Sequence, residues 1–434
     1  MIRRRSCATT RAALVALTFF VCTAAWAATE NLLHTFGGGP GGASPLGTLI
    51  LDSNGNVYGT TQFGGIKNTA CPNGCGTVYE LIPGSNGQWT ETVLHTFTGG
   101  TGGAQPLGGL ISDGTGNLYG TTSSGGTSTN CTGGCGTVFE LTPATGGKWT
   151  WHELFSFNGT GGQMPVGRLV LDSAGNLYGV TAYGGNSTTC TGGCGTVFAL
   201  IHNADAWTWK GLHIFSGIRF GTHPMAGLVL DNLGNLYGTT VSGGINCNGA
   251  GCGTVFELVK GQGGAKWTLR QLHAFAGPGS DSDSPQAELV FDATGNLYGT
   301  TSGASQPEGC SPCGTAFELI PAATGPWAEH ILRAFLGTLD GGSPQAPLIS
   351  DGNGNLFGTT TVGGSLGGGT IFELVPSSST RRPQFKLLHS FKQAAPNPGG
   401  SAPGGLVFDS LGNLYGPTLL GGSANDGIVF QLTP

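Results

Sequence analysis

Charged side chains are scarce in this chain: Asp, Glu, Lys and Arg make up 9% of its 434 residues, against about 25% in ordinary globular proteins. No basic stripe appears. Beyond residue 27, 13 Lys and Arg stand against 23 Asp and Glu, a net charge of −10. That balance argues against a nucleic-acid partner. Past the N-terminus no apolar run is long enough to cross a bilayer as a helix. No segment shows a helical apolar period, so the mature chain reads as all-β. A His-Glu-x-x-His metal motif and a phosphate-cradling loop are missing as well, which removes two common signatures of site chemistry.

What the chain has in abundance is glycine, 83 residues, and it comes with a period. The run Asp-x-x-Gly-Asn-Leu-Tyr-Gly-Thr-Thr begins at Asp52, with Val57 for Leu. Related copies begin at Asp113, Asp172, Asp231, Asp292, Asp351 and Asp409, at spacings of 61, 59, 59, 61, 59 and 58 residues. A fixed period of that size is the signature of a repeat architecture. Each copy joins two short apolar runs through a polar turn. Asp can bond the backbone two residues on, and Gly or Asn can take a positive φ, so a hairpin turn is predicted. The alternation Asp52, Asn54, Asn56 also has the look of a calcium loop. The middle position, however, is Asn54, Thr115, Ala174, Leu233, Thr294, Asn353 and Leu411, and Ala and Leu cannot ligate calcium.

Four strand candidates recur in each period. Strand A precedes the Asp, and B is the Tyr-Gly-Thr-Thr run. Strand C is Gly-Thr-Val-Phe-Glu-Leu, and D begins near a Trp and ends in Leu-His-x-Phe. Seven copies of four antiparallel strands predict a seven-bladed β-propeller. The chain opens with Leu32–Phe36, a lone D strand, and ends with a C strand lacking its D. The predicted ring is therefore closed by the N-terminal strand. In such blades the Asp turns share one face, while the B–C and D–A loops share the other, where binding is expected.

Arg3, Arg4, Arg5 and Arg11 precede an apolar run from Ala12 to Cys22, and Ala25-Trp26-Ala27 fits a cleavage site. Residues 1–27 are predicted to be a signal peptide and 28–434 one mature domain, secreted or periplasmic. Lipid attachment at Cys22 is the weaker alternative. Ten cysteines remain as local pairs: Cys71/Cys75, Cys131/Cys135, Cys190/Cys194, Cys247/Cys252 and Cys310/Cys313. All lie in B–C loops, and an even count in an exported chain predicts disulfides rather than a metal site.

The chain resembles the GloVer tandem-repeat proteins of the choice-of-anchor type. The residues that carry the resemblance are Gly116–Thr122, Gly125-Gly126 and Gly136–Leu141, with their counterparts in the other copies. The resemblance implies an exported, propeller-like repeat protein and brings no reaction or ligand with it. Members often end in a sorting anchor; none is recognisable before Pro434, which leaves surface attachment open.

In a symmetric ring, function is expected where the symmetry breaks. The D–A loops differ: Asn158–Gln163 with Arg168 beyond, Ile218–His223, Asp281 and Asp283 with Glu288, and Asp340. Arg168, Arg219 and His223 would offer donors, and Asp281, Asp283 and Asp340 acceptors or a cation site. The recurring His, Glu, Trp and Tyr are read as packing groups. The leading reading is a non-catalytic binding scaffold, monomeric, with no cofactor, metal or catalytic residue assigned and a surface glycan or envelope protein as partner. The alternatives are a propeller enzyme, lactonase-like or a polysaccharide lyase, and a structural envelope protein.

Overall fold

Each repeat folds into one antiparallel sheet, because its strands are short, β-branched or aromatic runs separated by turns that cap themselves. A computed structural model describes residues 28–203, 206–244, 247, 251–261, 263, 265–277, 281–303, 313–322, 325–377, 382–393 and 397–434. The expected signal peptide and Cys310 lie outside these residues. Blade 1 runs through strands A (Ile50–Leu51), B (Val57–Phe63), C (Thr77–Pro83) and D (Trp89–Thr96). The same order repeats around the ring, giving a seven-bladed β-propeller. Two 3₁₀ turns, Gly100–Gly102 and Ile218–Phe220, lie in D–A connections.

The last blade borrows its outer strand. Thr29–Thr35 pairs antiparallel with Ile428–Thr433, placing Thr29 opposite Thr433 and Thr35 opposite Ile428. The ring is thus sealed where strand counting requires.

The Asp turns behave as predicted. Asp52 Oδ1 accepts the N–H groups of Asn54 and Asn56, both at 2.8 Å, and its Oδ2 accepts Asn56 Nδ2 at 3.0 Å. All seven turns repeat this pattern, including those with Ala174 or Leu233 in the middle. Both carboxylate oxygens are occupied by the turn itself, so the residue serves as a cap.

Blades adhere through aromatic pairs. The Phe that ends each D region meets the strand C aromatic of the next blade, edge to face in Phe36 on Tyr79 at 5.0 Å, Phe97 on Phe139 at 5.2 Å and Phe215 on Phe256 at 5.4 Å, and tilted in Phe335 on Phe372 and Phe391 on Phe430. The Gly of Tyr-Gly-Thr-Thr makes this possible. A Cβ on Gly120 would lie 2.6 Å from the Phe139 ring, and one on Gly299 equally close to Phe317. The tyrosines of strand B pack on the Trp of the following blade, as with Tyr58 on Trp149 and Tyr119 on Trp207. These aromatics are seam core.

One irregularity recurs in the outer strand. The C–D register slips by one residue between Val78 and Tyr79, and at the same place in each of the seven blades. Residues four apart in a regular strand face the same side. The bulge reverses this, so Glu91 faces the preceding blade while His95 faces the following one.

Candidate functional site

The two faces separate as expected. B–C loops reach D–A loops directly: Asn68 Nδ2 donates to the Thr98 carbonyl at 2.8 Å, and Asn130 Nδ2 to that of Asn158 at 3.0 Å. Disulfides Cys71–Cys75, Cys131–Cys135, Cys190–Cys194 and Cys247–Cys252 close four of these loops. The fifth expected bridge, Cys310–Cys313, is not among them. Cys313 is buried and disulfide-bonded, but Cys310, the partner expected for it, lies outside the described residues.

The carbonyl of the second cysteine then holds the neighbouring inner strand. Gln105, Met164, His223 and Ser284 donate their N–H to Cys75, Cys135, Cys194 and Cys252 at 2.8, 2.9, 2.9 and 2.9 Å. Ser343 donates to the Cys313 carbonyl at 2.7 Å in the same way, so blade 5 keeps this contact. Each of these five donors precedes a Pro and takes a left-handed φ, between 54° and 58°. A non-glycine residue there costs roughly 1–2 kcal/mol, and the cysteine-bearing loop supplies the bond that holds it.

Inside the ring the A strands line a channel with two chambers. The one toward the Asp turns measures about 890 Å³ and is walled by Ile50, Ile111, Val170, Val229, Val290 and Ile349. The one toward the loops measures about 440 Å³, with Leu46, Leu107, Met225, Gln286, Gln345 and Val362 at its mouth. Arg168 and Glu288 line both, at the waist. The residue before the strand A Leu is Thr48, Gly109, Arg168, Gly227, Glu288, Pro347 and Gly405 around the ring. Five are small or uncharged and two are charged, and the two find each other. Glu288 Oε2 accepts from Arg168 Nη2 at 3.2 Å, and its Oε1 from the Arg168 N–H at 3.2 Å. Glu288 is 11% exposed and Arg168 39%. They belong to blades 5 and 3, and blade 4 leaves them room because it offers Gly227: any Cβ there would meet the Glu288 carboxylate.

The other expected binding residues do not gather at this point. Arg219 is exposed on the Ile218–Phe220 turn with its guanidinium 5.1 Å from the Phe220 ring. His223 stands edge-on to Tyr183, and burial lowers its pKa. Asp281, Asp283 and Asp340 are 5%, 5% and 6% exposed, so they are not surface acceptors as the loop composition suggested. Asp340 holds Arg333 Nη2 at 2.6 Å and accepts the Leu336 N–H, and Asp281 holds His273 Nε2 at 2.9 Å and accepts the Ala276 N–H. Their polar atoms lock loops to outer strands. Polar loop residues look alike in sequence whether they face water or a neighbouring strand, which is why the sequence grouped them.

The outer seams carry a pairing rule set by the D-strand bulge. His34 meets Glu91 at 3.3 Å, His273 meets Glu329 at 3.6 Å, and His389 meets Glu30 at 3.3 Å. His95 instead stacks on Trp151 and Phe155 on Trp209, with centroids 5.5 and 5.7 Å apart. Arg333 lies 4.3 Å over the Phe385 ring. Burial raises Glu30, and burial together with the Asp281 carboxylate pushes Glu329 up to about 7 despite His273. Burial lowers His95 to about 4. The folded His95 therefore binds its proton more weakly than the unfolded one. Its contribution is present above pH ~6.5 and lost as pH falls toward 4, at most about 3 kcal/mol. His95→Phe, which copies the Phe155–Trp209 seam, is expected to flatten that part of the acid limb while leaving stability at pH 8 within about 1 kcal/mol. Urea unfolding between pH 4 and 8 checks this; an unchanged pH slope would show that His95 is not responsible.

A stretch Gly363-Gly364-Ser365-Leu366-Gly367 has nucleophile-elbow spacing. It lies in the B–C connection of blade 6 and runs into a strand, Gly367–Val375, not a helix, so the strand–turn–helix context of that motif is missing.

Two segments, residues 18–250 and 250–434, match the Gloeobacter/Verrucomicrobia repeat. No curated protein matches the chain. Among solved structures the fold is similar to a protein from Lactobacillus plantarum (14% identity, 79% of this chain and 84% of that one, TM-score 0.49). It is also similar to a Trichoderma reesei carbohydrate-active enzyme of family AA12 (13%, 94% and 96%, 0.43) and to a gluconolactonase from Xanthomonas campestris (12%, 68% and 78%, 0.37). Likenesses this distant concern the fold alone.

Proposed function

We propose that this chain, which belongs to the Gloeobacter/Verrucomicrobia repeat family, is an exported binding scaffold whose ligand enters the channel from the loop face. The observation that carries the reading is the Arg168–Glu288 pair, a break in seven-fold symmetry placed at the waist between two chambers. Identical residues around a ring cannot select one ligand orientation; one cation and one anion at adjacent points can. The surrounding wall is apolar with a few amides, the composition of a small-molecule or glycan-end site. Export is supported by the N-terminal Arg-rich and apolar segment and by the disulfides, which persist in oxidising compartments. No helix among the described residues is long and apolar enough to cross a membrane.

A hydrolase or lyase that works through a pair of acid–base groups would need a second such group beside Glu288. Among the described residues lining the channel, Glu288 is the one carboxylate, and Arg168 already holds it. The test is a glycan and metabolite array probed with the untagged mature chain and with Arg168→Gln/Glu288→Gln. The double variant removes both charges together and leaves neither one buried alone. Hits of the native protein should weaken about tenfold or more in the double variant, with its unfolding temperature nearly unchanged. Hits that keep their affinity in the variant would place the site elsewhere.

A further inference from the structure

We propose that the outer seam between blades 4 and 5 binds a first-row divalent transition ion, with Zn²⁺ the expected occupant, through His273 Nε2, Asp281 and Glu329. The three come from separate elements: the D strand Thr268–Ala274, the loop entering blade 5, and the D strand Ala328–Ala334. Their ligand atoms all lie within 4.8 Å of one another. His273 Nε2 is 2.9 Å from Asp281 Oδ2 and 3.6 Å from Glu329 Oε2. All three side chains are at most 16% exposed. One imidazole nitrogen with two carboxylates is a ligand set suited to zinc, with a fourth position left for water.

The repeat supplies an internal comparison. At the seam between blades 7 and 1 the same His–Glu pair occurs as His34 and Glu91, but the loop position of Asp281 is taken by Gly41, which lies against the Glu91 carboxylate. At the seam between blades 5 and 6 the loop acid is present as Asp340, and Arg333 supplies a fixed positive charge for it. Only the 4/5 seam, among these three, places a loop carboxylate and a strand carboxylate against one imidazole. Two buried carboxyl groups then converge on a single imidazole, a donor set that a divalent cation would take. Glu329 Oε1 is fully buried there and has no hydrogen-bond partner. The Ala276 N–H holds Asp281 Oδ1 at 2.6 Å, which turns Oδ2 toward the cluster, the kind of outer support that orients a metal ligand.

The experiment is calorimetric titration of ZnCl₂ into the untagged mature chain after dialysis against a chelator, with unfolding temperature read in parallel. One equivalent should bind and raise the unfolding temperature. Asp281→Asn keeps the acceptor for Ala276, and Glu329→Gln keeps shape and removes a charge, so each should fold. Each should weaken binding about tenfold or more. Glu91→Gln, at the seam with glycine in place of the loop acid, should leave it unchanged. Zn²⁺ binding that persists in both seam variants, or no saturable binding at millimolar Zn²⁺, would overturn the assignment and leave the triad as a latch alone.

Discussion

Removing residues 28–37 is expected to lower the unfolding temperature by on the order of 10 °C and to drive the protein into oligomers. The deleted segment is the outer strand of blade 7, paired along Ile428–Thr433 from Thr29 to Thr35. It also carries Phe36, 1% exposed, which fills the seam against Tyr79 and Val429. Losing the burial of Phe36 and Leu33 costs about 2–3 kcal/mol for each side chain, and the strand's ladder bonds go with them. For a chain of this size each kcal/mol moves the transition by little more than about 1 °C, so the effect is a sum over the whole strand. The freed edge of Ile428–Thr433 would present unpaired N–H and C=O groups to other copies. Calorimetry and gel filtration of the truncated protein check both halves. A monomer that melts with the full-length chain would show that the ring does not depend on this strand.

Phe97→Ala should cost about 3–5 kcal/mol, as expected of a fully buried seam aromatic. Phe97 is fully buried and stands 5.2 Å edge-on to Phe139, in the cluster that also holds Val78, Leu110 and the Cys71–Cys75 bridge. Truncation would leave a cavity lined by Val78, Leu110, Phe139 and the Cys71–Cys75 bridge. Phe97→Leu should recover more than half of the loss, because most of the volume returns. Equilibrium unfolding in guanidinium measures both. A loss under about 1 kcal/mol for the alanine variant would mean that the seams are not what holds neighbouring blades together.

The architecture was legible in the sequence because it is written seven times. Strand order, the self-capping of Asp52 and its counterparts, the closing strand and the loop face all follow from a period and two chain ends. Four local disulfides followed from cysteine spacing within inserted loops. For the fifth, Cys313 is bonded while Cys310 falls outside the described residues. Side-chain direction was not legible where the period is broken within a strand. The bulge beside Leu94 sends Glu91 and His95 to opposite neighbours, so a rule that links residues of adjacent repeats looked like independent packing groups. Asp281 and Asp340 read as loop acids because nothing in their sequence neighbourhood shows that a D strand will offer His273 or Arg333. Arg168 and Glu288 read only as charges in or beyond two separate D–A loops, because their union depends on Gly227 of the blade between them.

In the proposed function the ligand sits at the loop end of the channel, around the Arg168–Glu288 pair. Hydrogen exchange of residues 28–434, with and without the strongest array hit, tests it directly. Protection should appear at residues 46–48, 107–109, 166–168, 225–227, 286–288 and 345–347, the segments that wall the loop-face chamber. Protection confined to the Asp turns at 52–56, 113–117 and their counterparts, with the channel segments unchanged, would contradict it.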